Sequence, residues 1–503
     1  MTDPQAKHTQ GADAMKDEYR HRNTARPASG PSGRMRPARR RFGLMPLAAG
    51  LAAMLLPLAA GVSAQTPLRW DSSLADGAVL GNSSVYSPRA TMTRVFPGNG
   101  LQVLPLATGF NVPELEAIAQ NLVAGQKVPG LAMAIVYQGR ILSARGYGVT
   151  DVNNPEAIDE HTVFRLASLS KSFAATATGL LVNQGRLRWD SRVVDYYPTL
   201  QFSEPRAALE LTVADVLSHR VGLGHNSFDR DIEGNAEYSS LVRKMAYTPM
   251  QCAPGECYAY QNVAYSLIGD VVGGASGEPF ERWVSERIFT PLGMHDASYG
   301  LDGIETSPRW AKPHVRAGRG WSSVMPKPTY YRVAPAAGVN ASISDMAQWL
   351  VAQTGHRPDV LPSALLATLH APLIDTPAET RGSSWRRERL NAAGYGLGWR
   401  VLDYAGHRVI FHGGAVQGYR GTIAMVPERD FGVVILWNAN SGAPSGLLPT
   451  ILDRAIGLTP TQWLDSEPEP LEEGLYAQGL PKLPDAPAAS GGAESSVSNA
   501  KPE

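Results

Sequence analysis

Phe164-Arg165-Leu166-Ala167-Ser168-Leu169-Ser170-Lys171 is the stretch on which the reading of this chain turns. Beyond it, Phe173, Ala177, Leu180 and Leu181 recur at helical spacing and Gly185 supplies a stop. The spacing predicts a helix opening at Ser168, with Lys171 one turn later on the same face. That placement exposes a hydroxyl at a sharp turn and brings an amine within its reach. It also aims free backbone N–H groups at any anion forming nearby. A serine attacks a carbonyl only with a base beside it, and lysine serves once burial or a nearby cation lowers its pKa. Taken alone the tetrad is weak. An N-capping serine followed by a solvated lysine accounts for it equally well.

Two more segments carry the same kind of chemistry. Tyr260-Gln261-Asn262 precedes Ala264, Leu267, Ile268 and Val271, an amphipathic pattern that Asn262 could simply cap. Read as chemistry, Tyr260 relays a proton to the leaving group, and the Asn262 amide orients Lys171 or the substrate. Phe411-His412-Gly413-Gly414-Ala415 ends a strand in which Arg408, Ile410 and His412 share a face. The paired glycines let a substrate backbone lie close to the strand edge. An N–H here, that of Ala415, can join the N–H of Ser168 as an oxyanion hole. A surface histidine before a glycine turn is the plain alternative.

Around these segments the pattern is strands, helices, then strands again. Leu131–Tyr137 and Ile141–Tyr147 flank Gln138-Gly139, a hairpin. Residues from about 163 to 355 are mainly helical, and after Tyr395 the chain returns to strands at Val401–Tyr404, Arg408–His412, Thr422–Val426 and Phe431–Trp437. One antiparallel sheet built from both ends of the chain, with a helical insertion, satisfies that order. The expected class is α+β.

The order Ser-x-x-Lys, Tyr-x-Asn, His-x-Gly resembles the serine β-lactamase-related superfamily, in its branch of class C β-lactamases, DD-peptidases, D-aminopeptidases and family VIII esterases. The likeness extends to Leu217-Ser218-His219-Arg220-Val221-Gly222-Leu223, Pro254-Gly255-Glu256, Pro291-Leu292-Gly293-Met294, Ala336-Ala337-Gly338-Val339 and Gly394-Tyr395-Gly396-Leu397-Gly398-Trp399. It covers about 112 to 457. His219 is read there as structural. The resemblance implies an antiparallel β-sheet flanked by helices plus an all-helical lobe, with the site between them. It also implies an acyl-enzyme on Ser168, Lys171 and Tyr260 moving protons, and release by water. A non-catalytic penicillin-binding or assembly protein of the same fold is the rival, and such a binder should have lost one of these three side chains. An α/β-hydrolase is disfavoured by the lack of a G-x-S-x-G elbow.

The substrate reading rests on position 412. Class C β-lactamases carry Lys-Thr-Gly at this strand, and histidine is mostly neutral at pH 7. Gly413 also lacks a hydroxyl for a carboxylate. A peptidase or esterase is therefore expected ahead of a β-lactamase, on cell-wall D-amino-acid peptides or small esters. Arg420 is the candidate carboxylate clamp, with a solvated surface arginine the alternative.

Composition sets the outer limits. Lys+Arg and Asp+Glu each total 46 in 503 residues, so the basic balance of a nucleic-acid binder is missing. Neither a metal-ligand motif nor a nucleotide-binding loop is apparent, so no cofactor is expected. Arg34, Arg36, Arg39, Arg40 and Arg41 precede an apolar run, Leu44–Val62, that closes on Val62-Ser63-Ala64. This predicts a cleavable signal over 35–64, by the twin-arginine or the general secretory route, leaving no stable membrane anchor. The destination is periplasmic or secreted. The 2 cysteines, Cys252 and Cys257, are expected to pair in an exported protein, with two unlinked thiols as the alternative. The expected layout is a polar leader or over-called start at 1–34 with Met35 as initiator, the signal, a lead-in at 65–111, the hydrolase domain at 112–460 and a disordered tail at 461–503.

Overall fold

The computed structural model describes residues 103–465. The leader, the signal at 35–64, most of the lead-in and nearly all of the tail lie outside the described residues.

Eight strands form one antiparallel sheet, in the spatial order Arg140–Gly148, Gly130–Tyr137, Phe431–Trp437, Tyr419–Val426, His407–Val416, Arg400–Tyr404, Leu390–Tyr395, Ile374–Asp375. Its two chain ends meet where Leu131 pairs with Trp437. The Gly130–Tyr137 strand is buried on both faces. Ala132, Ala134 and Val136 enter the core shared with the helical section, and Leu131, Met133 and Ile135 enter a second core. That second core is closed by the helices Val112–Ala124 and Leu447–Ile456. The hairpin turn holds Gln138 at φ 50° and Gly139 at φ 69°, the left-handed pair that matches strand twist.

The helical section contains short strands that the sequence did not announce. Val163–Arg165, Val339–Ser342 and Ser298–Tyr299 make a three-stranded sheet, and His314–Ala317 pairs with Gly320–Ser323. The return to the large sheet begins at Ile374, ahead of the strand Leu390–Tyr395, rather than after Tyr395. Both domain edges also move. Leu104 N–H donates to the Glu428 carbonyl at 2.7 Å and Ala107 N–H to that of Ala455 at 3.0 Å, so the end of the lead-in is tied to the sheet domain. Trp463 is buried and its indole N–H donates to Asp453 at 2.8 Å, so the chain stays packed past 460. Among the described residues no helix is long and apolar enough to cross a membrane.

Cys252 and Cys257 are joined in a disulfide with an S–S distance of 2.04 Å. The loop it closes is tied to the 219–222 segment, since Gly255 N–H donates to Arg220 O and Gln251 N–H to Gly222 O. Replacing both cysteines by serine should cost about 2 kcal/mol by loop-closure entropy. A lower melting temperature of the double variant by differential scanning calorimetry is expected; an unchanged one contradicts it.

Candidate active site

Ser168 lies in a short 3-10 turn, Ala167–Leu169, that runs directly into the helix Ser170–Asn183. The helix therefore opens two residues later than the spacing predicts, with Ser168 in its lead-in. Ala167 holds φ at 50°, a left-handed conformation that non-glycine residues seldom adopt. Its neighbours keep it there: Leu166 N–H donates to Val339 O at 3.0 Å and Val339 N–H to Ser170 Oγ at 3.0 Å.

Lys171 is fully buried, which rules out the solvated lysine. Its Nζ donates to Ser168 Oγ at 3.3 Å, to Asn262 Oδ1 at 2.7 Å and to Ala336 O at 3.1 Å. Nζ also stands 4.6 Å from the centre of the Tyr260 ring. The structure thus brings Ser168, Lys171, Tyr260 and Asn262 into one buried cluster from segments about ninety residues apart. Asn262 does not cap the following helix; its oxygen receives Lys171 and its Nδ2 donates to Asp229 Oδ2 at 2.9 Å.

Asp229 has its other oxygen, Oδ1, buried without a hydrogen-bond partner among the described residues. Burial dominates and pushes this carboxyl up to about 7, against the pull of Asn262 and Lys171. A carboxyl raised above its unfolded value binds more protons folded than unfolded, so its contribution to stability falls as pH rises from about 4 to 7. Asp229→Asn is expected to melt above the native protein at pH 8, with the gap closing by pH 4. A gap independent of pH contradicts this.

The Tyr260-Gln261-Asn262 segment is fixed by the 219–226 loop. Tyr260 N–H donates to His225 Nδ1 at 3.2 Å, Gln261 N–H to His219 Nδ1 at 3.1 Å, and Asn226 N–H to Tyr260 O at 2.8 Å. The His219 ring lies 4.2 Å from the Tyr260 ring, centre to centre. His219 is thus part of the site's wall, consistent with a structural role.

Hydrogen bonding sets every proton of the chain that follows. His219 Nδ1 accepts from Gln261, so its Nε2 donates to Tyr395 Oη at 3.2 Å. Tyr395 donates onward to His412 Nε2 at 3.0 Å, and His412 Nδ1 donates to Gly413 O at 2.7 Å. Burial, with Lys171 and Arg400 nearby, holds both imidazoles well below their ordinary range. His412 was expected to bind substrate. Its ring is wholly buried and both nitrogens are engaged, so the structure corrects this to a neutral prop under the strand edge.

That edge is open beside the nucleophile. The Arg400–Tyr404 strand pairs with His407–Val416 only as far as Arg400 opposite Phe411. His412, Gly413, Gly414 and Ala415 run on past it, paired on their other side with the Tyr419–Val426 strand. A Cβ added to Gly414 would stand 2.6 Å from Leu166 O and 3.2 Å from Ser168 N. Only glycine lets the strand approach the nucleophile turn this closely. Gly414→Ala should displace that turn and cut kcat/KM about 100-fold. Wild-type rates in the variant would show that the close approach is unimportant.

Arg420 is the second correction. It pairs opposite Ala415 and shares a sheet face with Ala424 and Val426, the face covered by Val112–Ala124 and Leu447–Ile456. Gly414 and Gly421 meet the Ser168 turn from the other face. Arg420 therefore points away from the nucleophile and is no carboxylate clamp there. The arginine at the site is Arg400, fully buried, with its guanidinium carbon 5.2 Å from the Tyr260 ring centre. Among the described residues no group of three or more His, Cys, Asp or Glu is placed to hold a metal ion.

The sheet, the helical section and the Ser–Lys helix between them define the β-lactamase-related fold of serine hydrolases. A family model described as Beta-lactamase matches residues 115–457, more than half of the chain, and the chain belongs to that family. It is 25% identical over 364 residues to the unguisins hydrolase ungD' of Aspergillus campestris, covering 67% of this chain and 64% of that protein. The chain thus spans less than two thirds of that relative's length. The octameric penicillin-binding protein homologue of Pyrococcus abyssi superimposes with a TM-score of 0.61 at 25% identity, covering 70% of this chain and 79% of that one. The D-amino acid amidase of Ochrobactrum anthropi SV3, complexed with L-phenylalanine, gives a TM-score of 0.57 at 23% identity, covering 68% and 97%.

Proposed function

We propose that the protein is an exported hydrolase that acylates Ser168, acting on small esters and on peptides or amides of D-amino acids, with slow β-lactam turnover at most. The observation that carries this is the 3.3 Å approach of Lys171 Nζ to Ser168 Oγ beside the Tyr260 ring. In the first step Oγ bonds to the acyl carbon and its proton passes to the Lys171–Tyr260 pair. The bond to the leaving group breaks, and that proton follows it. Water then attacks the ester, its proton returning through the same pair, and Ser168 is restored. The N–H groups of Ser168 and Ala415 hold the oxyanion in both steps.

The substrate class is supported by His412. A neutral, fully engaged imidazole offers no fixed charge to a β-lactam carboxylate, and Arg420 faces elsewhere. The D-amino acid amidase among the similar proteins agrees with cleavage of an amide of a D-amino acid, and the unguisins hydrolase with a hydrolytic reaction. Export is supported by the cationic and apolar run before Gln65 and by the disulfide.

The test is a panel of p-nitrophenyl butyrate, a D-amino acid amide, a D-Ala-D-Ala peptide and nitrocefin. Turnover of the ester or a D-residue substrate at least tenfold above nitrocefin is expected. Nitrocefin as the best substrate would make the protein a β-lactamase. Binding of a fluorescent penicillin with no turnover of any member would make it a binding protein.

A further inference from the structure

Two cations of different kinds lie against the Tyr260 ring. Lys171 Nζ is 4.6 Å from its centre and 3.3 Å from Ser168 Oγ; in the mechanism proposed above this amine takes part in the proton transfer, so it is not a fixed charge. Arg400 Cζ is 5.2 Å away, and a guanidinium stays protonated at every working pH. Arg400 is held by Glu379, to whose Oε1 its Nε donates at 3.1 Å, while Arg386 bonds the other oxygen. Burial alone would raise the Glu379 carboxyl, but the two arginines hold it below its ordinary value. One carboxylate shared by two guanidiniums leaves a positive charge over in this triad.

We infer that Arg400 is a positioning residue that supplies the fixed positive charge keeping Tyr260 in its proton-accepting form. The inference rests on the reading of Tyr260 as a proton carrier. A phenolate taken out of water is costly unless a cation stands by it. The other groups facing the ring do not supply that cation. The rings of His219, His225 and His412 lie 4.2, 6.2 and 6.4 Å away. Burial holds His219 and His412 well below their usual range and His225 at about 4, with Arg400 among the causes in each case. Burial raises Tyr265 and Tyr395 well above theirs. Asp229 is the one neighbour that titrates near 7, and it reaches Lys171 through Asn262.

The test is the pH profile of kcat/KM for p-nitrophenyl butyrate on the full protein. Arg400→Gln should move the acid limb up by about one to two pH units, and Arg400→Lys by much less. At pH 6 the glutamine variant then loses about 10- to 100-fold, while its alkaline plateau is kept. Glu379→Gln, which removes the opposing charge, should move the limb the other way. The same Arg400 shift in an Asp229→Asn background excludes the carboxyl as its source. A limb unmoved in both Arg400→Gln and Glu379→Gln overturns the inference, as does an equal loss at all pH values. If Arg400→Gln does not fold, the direction of the Glu379→Gln shift decides. Tyr260→Phe separates the two readings. If it abolishes activity while the arginine variant keeps its limb, only the role of Arg400 falls. If it leaves activity intact, the role of Tyr260 falls first.

Discussion

Ser168→Ala is expected to lower kcat/KM by about 10⁴-fold or more on whichever ester or amide the protein turns over. The expectation follows from the position of the hydroxyl. Lys171 Nζ donates to this hydroxyl, to the Asn262 amide oxygen and to the Ala336 carbonyl, and of these three only the hydroxyl is a nucleophile. The fold should not suffer. Ser168 does not cap the turn that carries it, and Lys171 keeps Asn262 Oδ1 and Ala336 O as acceptors. Stopped-assay rates and a melting curve on the same preparation check both halves. Residual activity within tenfold of the native protein would place the nucleophile elsewhere.

Lys171→Met should separate activity from stability. Methionine matches the length and volume of the lysine stem and removes the amine, so the expected loss in kcat/KM is about 10³-fold or more. Melting temperature should hold or rise. A fully buried ammonium carries a desolvation penalty, and an apolar isostere relieves it. Against that stands the loss of donors to Asn262 and Ala336, about 1–3 kcal/mol each when left unpaired. The two nearly offset. A variant both active and unstable would mean that Lys171 is structural and that another group takes the Ser168 proton.

The strands that were legible in the sequence are those whose pattern is local. Leu131–Tyr137 and Phe431–Trp437 announce themselves as apolar runs between turns, and their burial on both faces explains why they do not alternate. The short strands Val163–Arg165, Ser298–Tyr299 and Ile374–Asp375 carry too few residues to show a period; they exist because a partner lies alongside. Ser168, Lys171 and Tyr260 were legible because each opens a helical pattern. Arg400, Glu379 and Asp229 were not, since their meaning lies in distance through space. One signal for Arg400 was present: a charge set between the apolar Trp399 and Val401-Leu402 at the start of a strand. The misreading of Arg420 has a simple geometric cause. Across the turn, Gly414 pairs with Gly421 and Ala415 with Arg420, so even positions of one strand share a face with odd positions of the next. Counting eight residues on from His412 therefore lands on the wrong side of the sheet.

The proposed reaction requires above all a covalent bond between Ser168 and the acyl group. Intact-mass spectrometry on protein quenched seconds after mixing with ester, D-amino acid amide or penicillin measures this directly. The predicted adduct adds the acyl group less one hydrogen for the ester or amide, and the whole penicillin for the ring-opened β-lactam, confined to the peptide that contains Ser168 and missing from Ser168→Ala. Turnover with no adduct at any quench time, or an adduct on another peptide, would contradict it.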